Sequence, residues 1–279
     1  MKGAFSTLKP DKDIFKELSG PKPPIWWKLL RHDEDLYIDI RKDNYINVYF
    51  LGGSIARIKY KNGFQIRVHQ KYLGDNKPRG KTKKGNDKFG YDRLDLDTLD
   101  KAKVDSIKKI IRDKYSHLAK KEHPSEKSIQ GDLITKNTKY IDSEFQFNQD
   151  FEIGKLRIDL IELVNGELTF VELKGITDSR LRNDKIKNSK VPEIIEQMER
   201  YGKFIDKYGT SLRDYYDKLL DIKRSIGLTV PDYTKLEINP TPRLLIKNTY
   251  SKETVGRTNR IHDIKELLDS NGIDYQIFK

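Results

Sequence analysis

The 279 residues include 55 lysines and arginines against 43 aspartates and glutamates, giving a formal charge of +12 and an isoelectric point near 9.4. With 35% hydrophobic residues and no apolar run near the roughly 20 needed to cross a bilayer, the sequence reads as a soluble chain of one or two domains, and no secretory leader pattern opens it. The absence of cysteine excludes disulfides, thiolate zinc sites and cysteine nucleophiles and agrees with a cytoplasmic setting, while the positive charge favours nucleic acid over a membrane surface as partner.

Residues 1–24, proline-containing and poor in apolar side chains, read as an irregular arm, followed by a short helix from Ile25 to His32 whose two tryptophans belong to a core. Four period-2 segments come next, near Leu36–Arg41, Tyr45–Leu51, Ser54–Tyr60 and Phe64–Tyr72, separated by Asp43-Asn44, Gly52-Gly53 and Asn62-Gly63. Such dipeptides accept positive φ, so the stretch is expected to form an antiparallel meander. Ile55, Arg57 and Lys59 alternate with Ala56, Ile58 and Tyr60, which predicts one wet and one covered face and leaves open what the wet face touches.

From Lys71 to Lys88 seven basic and two acidic residues are interleaved with Gly and Pro. Lys81, Lys83 and Lys84 in this loop are candidate phosphate contacts, although a solvated insertion has the same composition. No Gly-x-x-x-x-Gly-Lys-Ser/Thr occurs, so a nucleotide-binding P-loop is not supported. These features place an N-terminal meander domain, with its basic loop at 71–93, in residues 1–100 and a second domain in residues 101–279.

Asp97–Lys121 reads as a helix, and another begins at Ser125, a candidate N-cap followed by Glu126, Ile129, Leu133 and Ile134. A strand is expected at Ser143–Asn148. Then Leu156–Gly175 places Asn165-Gly166 between two apolar runs, the strongest short-range signal for a two-residue hairpin. With Val164 and Glu167 flanking the turn, Asp159 falls opposite Glu172, and Lys174 projects from the same face. Ile161, Leu163, Leu168 and Phe170 fill that face, while Ile158, Leu160, Val164, Val171 and Leu173 make the other face apolar too. Two carboxylates and an amine at one end of a buried hairpin offer hard oxygen ligands to a divalent cation; a solvated triad is the plainer alternative.

Gly175–Ser189 is a basic loop in which Arg180 and Arg182 are candidate phosphate contacts. Pro192–Tyr208 has apolar residues at helical spacing and Gly209 just past its end, with Gln197 and Tyr201 sharing a face. A second helix at Leu212–Ile226, ending at Gly227, looks like an insertion. A strand at Arg243–Lys247, a helix at Thr258–Ser270 and a strand at Ile273–Phe278 complete the chain. The five histidines are scattered without a His-Glu-x-x-His, and no Gly-x-Ser-x-Gly suggests a serine hydrolase.

Asp159, then Glu172-Leu173-Lys174, then Gln197-Met198-Glu199-Arg200-Tyr201 together resemble the PD-(D/E)xK nuclease superfamily and its RecB-like branch, with Ile158 standing where the family name places proline. The resemblance covers about the last 160 residues. It implies an α/β fold with a restriction-endonuclease-like αβββαβ core, and a Mg²⁺- or Mn²⁺-dependent nuclease, DNA favoured, of the kind that serves in restriction and antiviral defence. By that resemblance Asp159, Glu172 and the Leu173 carbonyl hold the metal, Lys174 positions or deprotonates the attacking water or stabilises the phosphorus, and Gln197 and Tyr201 reach the metal site or leaving phosphate. A helix-borne carboxylate, Glu126, or alternatively the strand-borne Glu144, would complete the set. The alternatives are a non-catalytic nucleic-acid-binding module and an assembly subunit whose N-terminal domain binds a protein partner or a second copy of the chain.

Overall fold

The computed structural model describes residues 5, 8–74, 80, 81, 83, 88–94, 99–119, 125–148, 150–182 and 191–279. The chain is mixed α/β, with a five-stranded antiparallel sheet at the N-terminal side and a six-stranded mixed sheet with helices towards the C terminus. Its contacts divide it into two compact units. Unit 1 comprises Met1–His117, Gly131–Thr138 and Asp217–Val230, and unit 2 comprises Leu118–Gln130, Lys139–Tyr216 and Pro231–Lys279. Among the described residues no helix is long and apolar enough to cross a membrane.

In unit 1 the expected irregular arm is instead interrupted by helix α1 (Asp13–Ser19), which buries Ile14, Phe15 and Leu18. The i, i+1, i+4 spacing puts these three on one face, and one turn of apolar residues suffices because tertiary packing, not propensity, stabilises so short a helix. Helix α2 (Ile25–Arg31) buries Trp26 and Trp27, and the Trp27 indole donates to the Ile226 carbonyl at 3.1 Å. The meander then runs through β1 (Tyr37–Arg41), β2 (Tyr45–Phe50), β3 (Gly53–Tyr60) and β4 (Phe64–His69), each antiparallel to the next. A fifth strand, β5 (Tyr91–Leu94), inside what reads from sequence as a basic loop, pairs with β4. The expected wet face is wet only in part. Over β1 and β2 it holds the buried Asp39, Asn47 and Tyr49, whereas over β3 to β5 it presents Lys59, Arg67 and Arg93 to solvent. Asp39 is covered because Arg41 binds it at 3.0 Å and Lys223 approaches at 4.0 Å, which removes the penalty of burying the carboxylate alone. Helix α3 (Lys101–Ala119) follows, burying Val104, Ile107 and Ile111.

Helix α4 (Glu126–Lys136), whose residues up to Gln130 belong to unit 2, is capped by Ser125, whose Oγ accepts the Ser128 N–H at 3.2 Å. Strand β6 (Tyr140–Phe147) pairs with β7 (Leu156–Val164), which turns back into β8 (Glu167–Gly175). Strand β10 (Arg243–Lys247) runs parallel to β8 and to β11 (Asp274–Phe278), giving the order β11-β10-β8-β7-β6, with the two-residue β9 (Glu237–Ile238) beside the start of β8. Two helices expected on either side of Gly209 are one 33-residue helix, α5 (Glu193–Ser225), so Leu212–Ile226 continues that helix and is not an insertion. Gly209 keeps the helical path because packing on both sides outweighs its intrinsic cost of about 1 kcal/mol. Phe204, Tyr208, Tyr215 and Tyr216 of α5 meet Phe145, Phe147 and Phe170 at ring separations of 4.8–6.5 Å, an aromatic layer that fixes the helix on the sheet. Helix α6 (Val255–Ser270) begins at Thr254, whose side chain caps Arg257 N–H, and ends before Gly272 at φ 62°.

The hairpin turn has Asn165 at φ 52° and Gly166 at φ 85°, both in the left-handed region that the tight turn demands. A side chain on Gly166 would strike the Lys235 carbonyl oxygen. Gly166→Ala is therefore expected to destabilise the fold by roughly 3 kcal/mol, the sum of backbone strain and overpacking. A fall in the urea midpoint with unchanged slope would record it; an unchanged midpoint would contradict it.

Candidate functional site

The pairing of β7 and β8 runs from Val164 opposite Glu167 to Leu160 opposite Val171, the register expected from sequence, and Asp159 is the next residue along. Ile161, Leu163, Leu168 and Phe170 are buried on the face that Asp159, Glu172 and Lys174 share. On the other face Ile158, Leu160, Val171 and Leu173 are buried, but Val164 is exposed because it borders the turn.

Asp159, Glu172 and Lys174 converge. The Lys174 ammonium, 1% exposed, binds Glu172 Oε1, donates to the Leu173 carbonyl at 2.9 Å and stands 4.0 Å from Asp159 Oδ2. Asp159 Oδ2 also accepts the Leu173 N–H at 3.0 Å, and the Asp159 carbonyl accepts the Gln130 amide of α4 at 2.5 Å. Burial, and next the charge of Glu172, push the Asp159 carboxyl up to about 7, against the opposing pull of Lys174. Two carboxylates thus share one ammonium in a largely buried setting.

Tyr201 enters from α5. Its hydroxyl lies 2.7 Å from Glu172 Oε2 and 2.5 Å from the Arg157 carbonyl, and having one proton it donates to one of them at a time. Burial, reinforced by Glu172, raises its pKa far above the ordinary phenol value, so it stays a neutral donor. Gln197, one turn earlier, donates to the Tyr201 oxygen at 2.9 Å. The pair thus reaches Glu172 as a relay.

Glu126 and Glu144 both line the same cavity of about 540 Å³. Burial raises the pKa of Glu126, opposed by Lys174, and Arg180 reaches it at 3.4 Å. Glu144 binds Arg157 and sits at φ 51° within β6, an unusual backbone for a strand residue. The geometry brings both acids to the site. Arg180 lines the cavity but is already held by Asp178, at 3.0 and 2.6 Å. Despite its burial, Asp178 is pulled down to about 2 by that guanidinium. Arg182 is elsewhere, lining a separate cavity of about 660 Å³ with Asn259, Arg260 and Asp263 of α6. Lys81 and Lys83 are exposed residues of unit 1, and Lys84 lies outside the described residues. Lys127, Lys155, Arg157 and Arg200 form a basic rim that sequence reasoning missed. Lys155 and Arg157 were legible by alternation, four and two residues before Asp159 at the entry to the same strand; Lys127 and Arg200 depend on how α4 and α5 approach the sheet.

No protein-family model, curated protein or solved structure matches this chain. Among the described residues no group of three or more His, Cys, Asp or Glu is arranged to hold a metal ion. A smaller donor set is present: the carboxylates of Asp159 and Glu172 and the Leu173 carbonyl, all hard oxygens suited to Mg²⁺ or Mn²⁺. Two carboxylates and a carbonyl gathered about a single ammonium are, by their donor chemistry, a set that fits a divalent cation.

Proposed function

We propose that unit 2 is a divalent-cation-dependent nuclease that hydrolyses phosphodiester bonds, with DNA as the favoured substrate. The observation that carries this reading is the meeting of Asp159, Glu172 and Lys174 in one cavity, with Tyr201 and Gln197 bracing Glu172 from the helix. The succession α4, β6, β7, β8, α5, β10 supports a restriction-endonuclease-like αβββαβ core, with α6 and β11 added.

Asp159, Glu172 and the Leu173 carbonyl would hold the cation. When bound, such an ion neutralises charge developing on the phosphate and lowers the pKa of an attacking water. Lys174 lies beside both carboxylates and can donate from Nζ to that water or to a phosphate oxygen. Tyr201 fixes the rotamer of Glu172, and Gln197 fixes the Tyr201 hydroxyl. Lys127, Lys155, Arg157 and Arg200 supply positive charge where a nucleic-acid backbone would enter.

The test is incubation of the full chain with plasmid, linear duplex and single-stranded DNA, and with RNA, in Mg²⁺, Mn²⁺ or chelator. Cleavage that needs the cation is expected. Salt-sensitive binding without cleavage under every condition would replace the enzyme by a non-catalytic binding module.

A further inference from the structure

We infer that the open half of the N-terminal sheet face, centred on Arg57, Arg67 and Arg93, is a docking surface for the phosphate backbone of double-stranded DNA. The register supplies the first observation. Asp39 pairs with Asn47, Asn47 with Arg57, Arg57 with Arg67 and Arg67 with Arg93, so one straight row crosses all five strands as Asp-Asn-Arg-Arg-Arg. Residues directly opposite each other share a face, and like charges so placed repel. A folded sheet carrying three adjacent arginines therefore has an electrostatic strain that a polyanion would relieve.

The second observation concerns partners. The row's one carboxylate, Asp39, is buried and already bound by Arg41 and Lys223. Arg57 lies 4.2 Å from the centroid of the Tyr45 ring and 5.9 Å from that of Tyr91, and its buried Nε has no hydrogen-bond partner among the described residues. Arg67 and Arg93 are exposed, as is Lys59, which also lies over Tyr45 at 5.3 Å. Tyr45 thus packs against the Arg57 guanidinium, while the exposed guanidinium groups of Arg67 and Arg93 beside it have the fork geometry that binds phosphate.

The same contacts choose the form of nucleic acid. Sequence-tolerant binding of single strands needs aromatic faces on which bases can stack. Here the Tyr45 ring is covered by Arg57 and Lys59, and Tyr91 has Arg57 over its ring at 5.9 Å and His69 packed against it at 5.1 Å. What remains is a flat, cationic strip. Three arginines on strands about 4.8 Å apart span roughly 10 Å, matched to a duplex that carries one charge per about 1.7 Å of axis. The inference is independent of the nuclease chemistry assigned to unit 2, since it concerns binding by a different face.

The decisive experiment measures binding of the full chain to a short blunt-ended DNA duplex and to one of its strands, across a salt series in chelator, so that cleavage plays no part. Arg67→Glu puts a carboxylate between Arg57 and Arg93 and lowers the net charge of the three arginine positions by two. Duplex affinity should fall at least about tenfold, and the slope of log affinity against log salt should flatten by about 1.8, the loss of about two phosphate contacts. The melting temperature should hold or rise, because two repulsions become attractions. Lys109→Glu, an exposed α3 substitution with the same change in formal charge, serves as control and should lose much less. Unchanged duplex binding in Arg67→Glu, an equal loss in Lys109→Glu, or tighter binding of the single strand by the unaltered chain would each overturn the assignment.

Discussion

Asp159→Asn is expected to lower cation-dependent cleavage by at least about three orders of magnitude while making the metal-free chain more stable at pH 8. The two effects share one cause. In the fold the Asp159 carboxyl titrates near 7, against an ordinary value of 3.8, because burial and the adjacent Glu172 disfavour its ionised form. The folded chain therefore holds this proton more tightly than the unfolded chain. Its contribution to stability is full below about pH 4, declines as pH rises and is gone above about pH 7. Asparagine mimics the neutral acid: its oxygen can still accept the Leu173 N–H, and its NH₂ can face Glu172. In chelator the variant should gain about 2 to 4 kcal/mol at pH 8, a figure discounted because the carboxylate is 20% exposed, and the gain should vanish near pH 4. Urea denaturation from pH 4 to pH 8 reads the difference directly. A wild-type chain that gained on the variant as pH rose would refute the assignment of strain to Asp159. The same proton must leave before Asp159 can hold a cation, so the Mg²⁺ concentration for half-maximal cleavage should climb about tenfold per unit below pH 7.

What the sequence discloses follows from how local the determining physics is. Asn165-Gly166 fixed the hairpin because only residues tolerant of positive φ close that turn, and strand periodicity then placed Asp159, Glu172 and Lys174 on one face. Ser125 and Gly272 marked helix ends by chemistry within a few residues, whereas the cap at Thr254 was passed over and the helix expected only from Thr258. Elements that depend on distant partners were hidden. Strand β5 forms by pairing with β4 across the intervening loop, and Tyr91–Leu94 carries little signal of its own. Gly209 imitates a helix stop, yet the aromatic layer of Phe204, Tyr208, Tyr215 and Tyr216 carries the helix past it. At the site, Gln197 and Tyr201 share a helix face by spacing, but that Tyr201 meets Glu172 is a matter of where α5 docks. Arg180 and Arg182 looked equivalent in the loop; Asp178 captures one, and the other lines a cavity beside α6. The buried Glu162 in an apolar strand was equally hidden, because its partners Lys139 and Arg243 come from separate strands or their approaches.

Lys174→Met should also reduce cleavage by at least about three orders of magnitude, with the opposite effect on stability. Methionine fills much of the same volume but removes the ammonium that binds Glu172, approaches Asp159 and donates to the Leu173 carbonyl. Two carboxylates then face each other with only Tyr201 and the Leu173 N–H to share their charge, and breaking such a buried cluster costs about 3 to 5 kcal/mol. The Asp159 carboxyl, which Lys174 holds down, should move further above 7. The sign of the pH dependence follows: the deficit is widest above pH 7 and narrows on acidification, as protons replace the missing cation. A divalent ion can take the same place, so saturating Mn²⁺ should stabilise the variant at least as strongly as it does the unaltered chain, read as a rise in melting temperature that grows from pH 6 to pH 8 as the carboxyl gives up its proton. That combination, cation binding retained and cleavage lost, separates a lysine that acts on the reacting phosphate from one that merely neutralises the cluster. A folded Lys174→Met that still cleaves would remove Lys174 from the chemistry and leave the two acids with a structural ammonium.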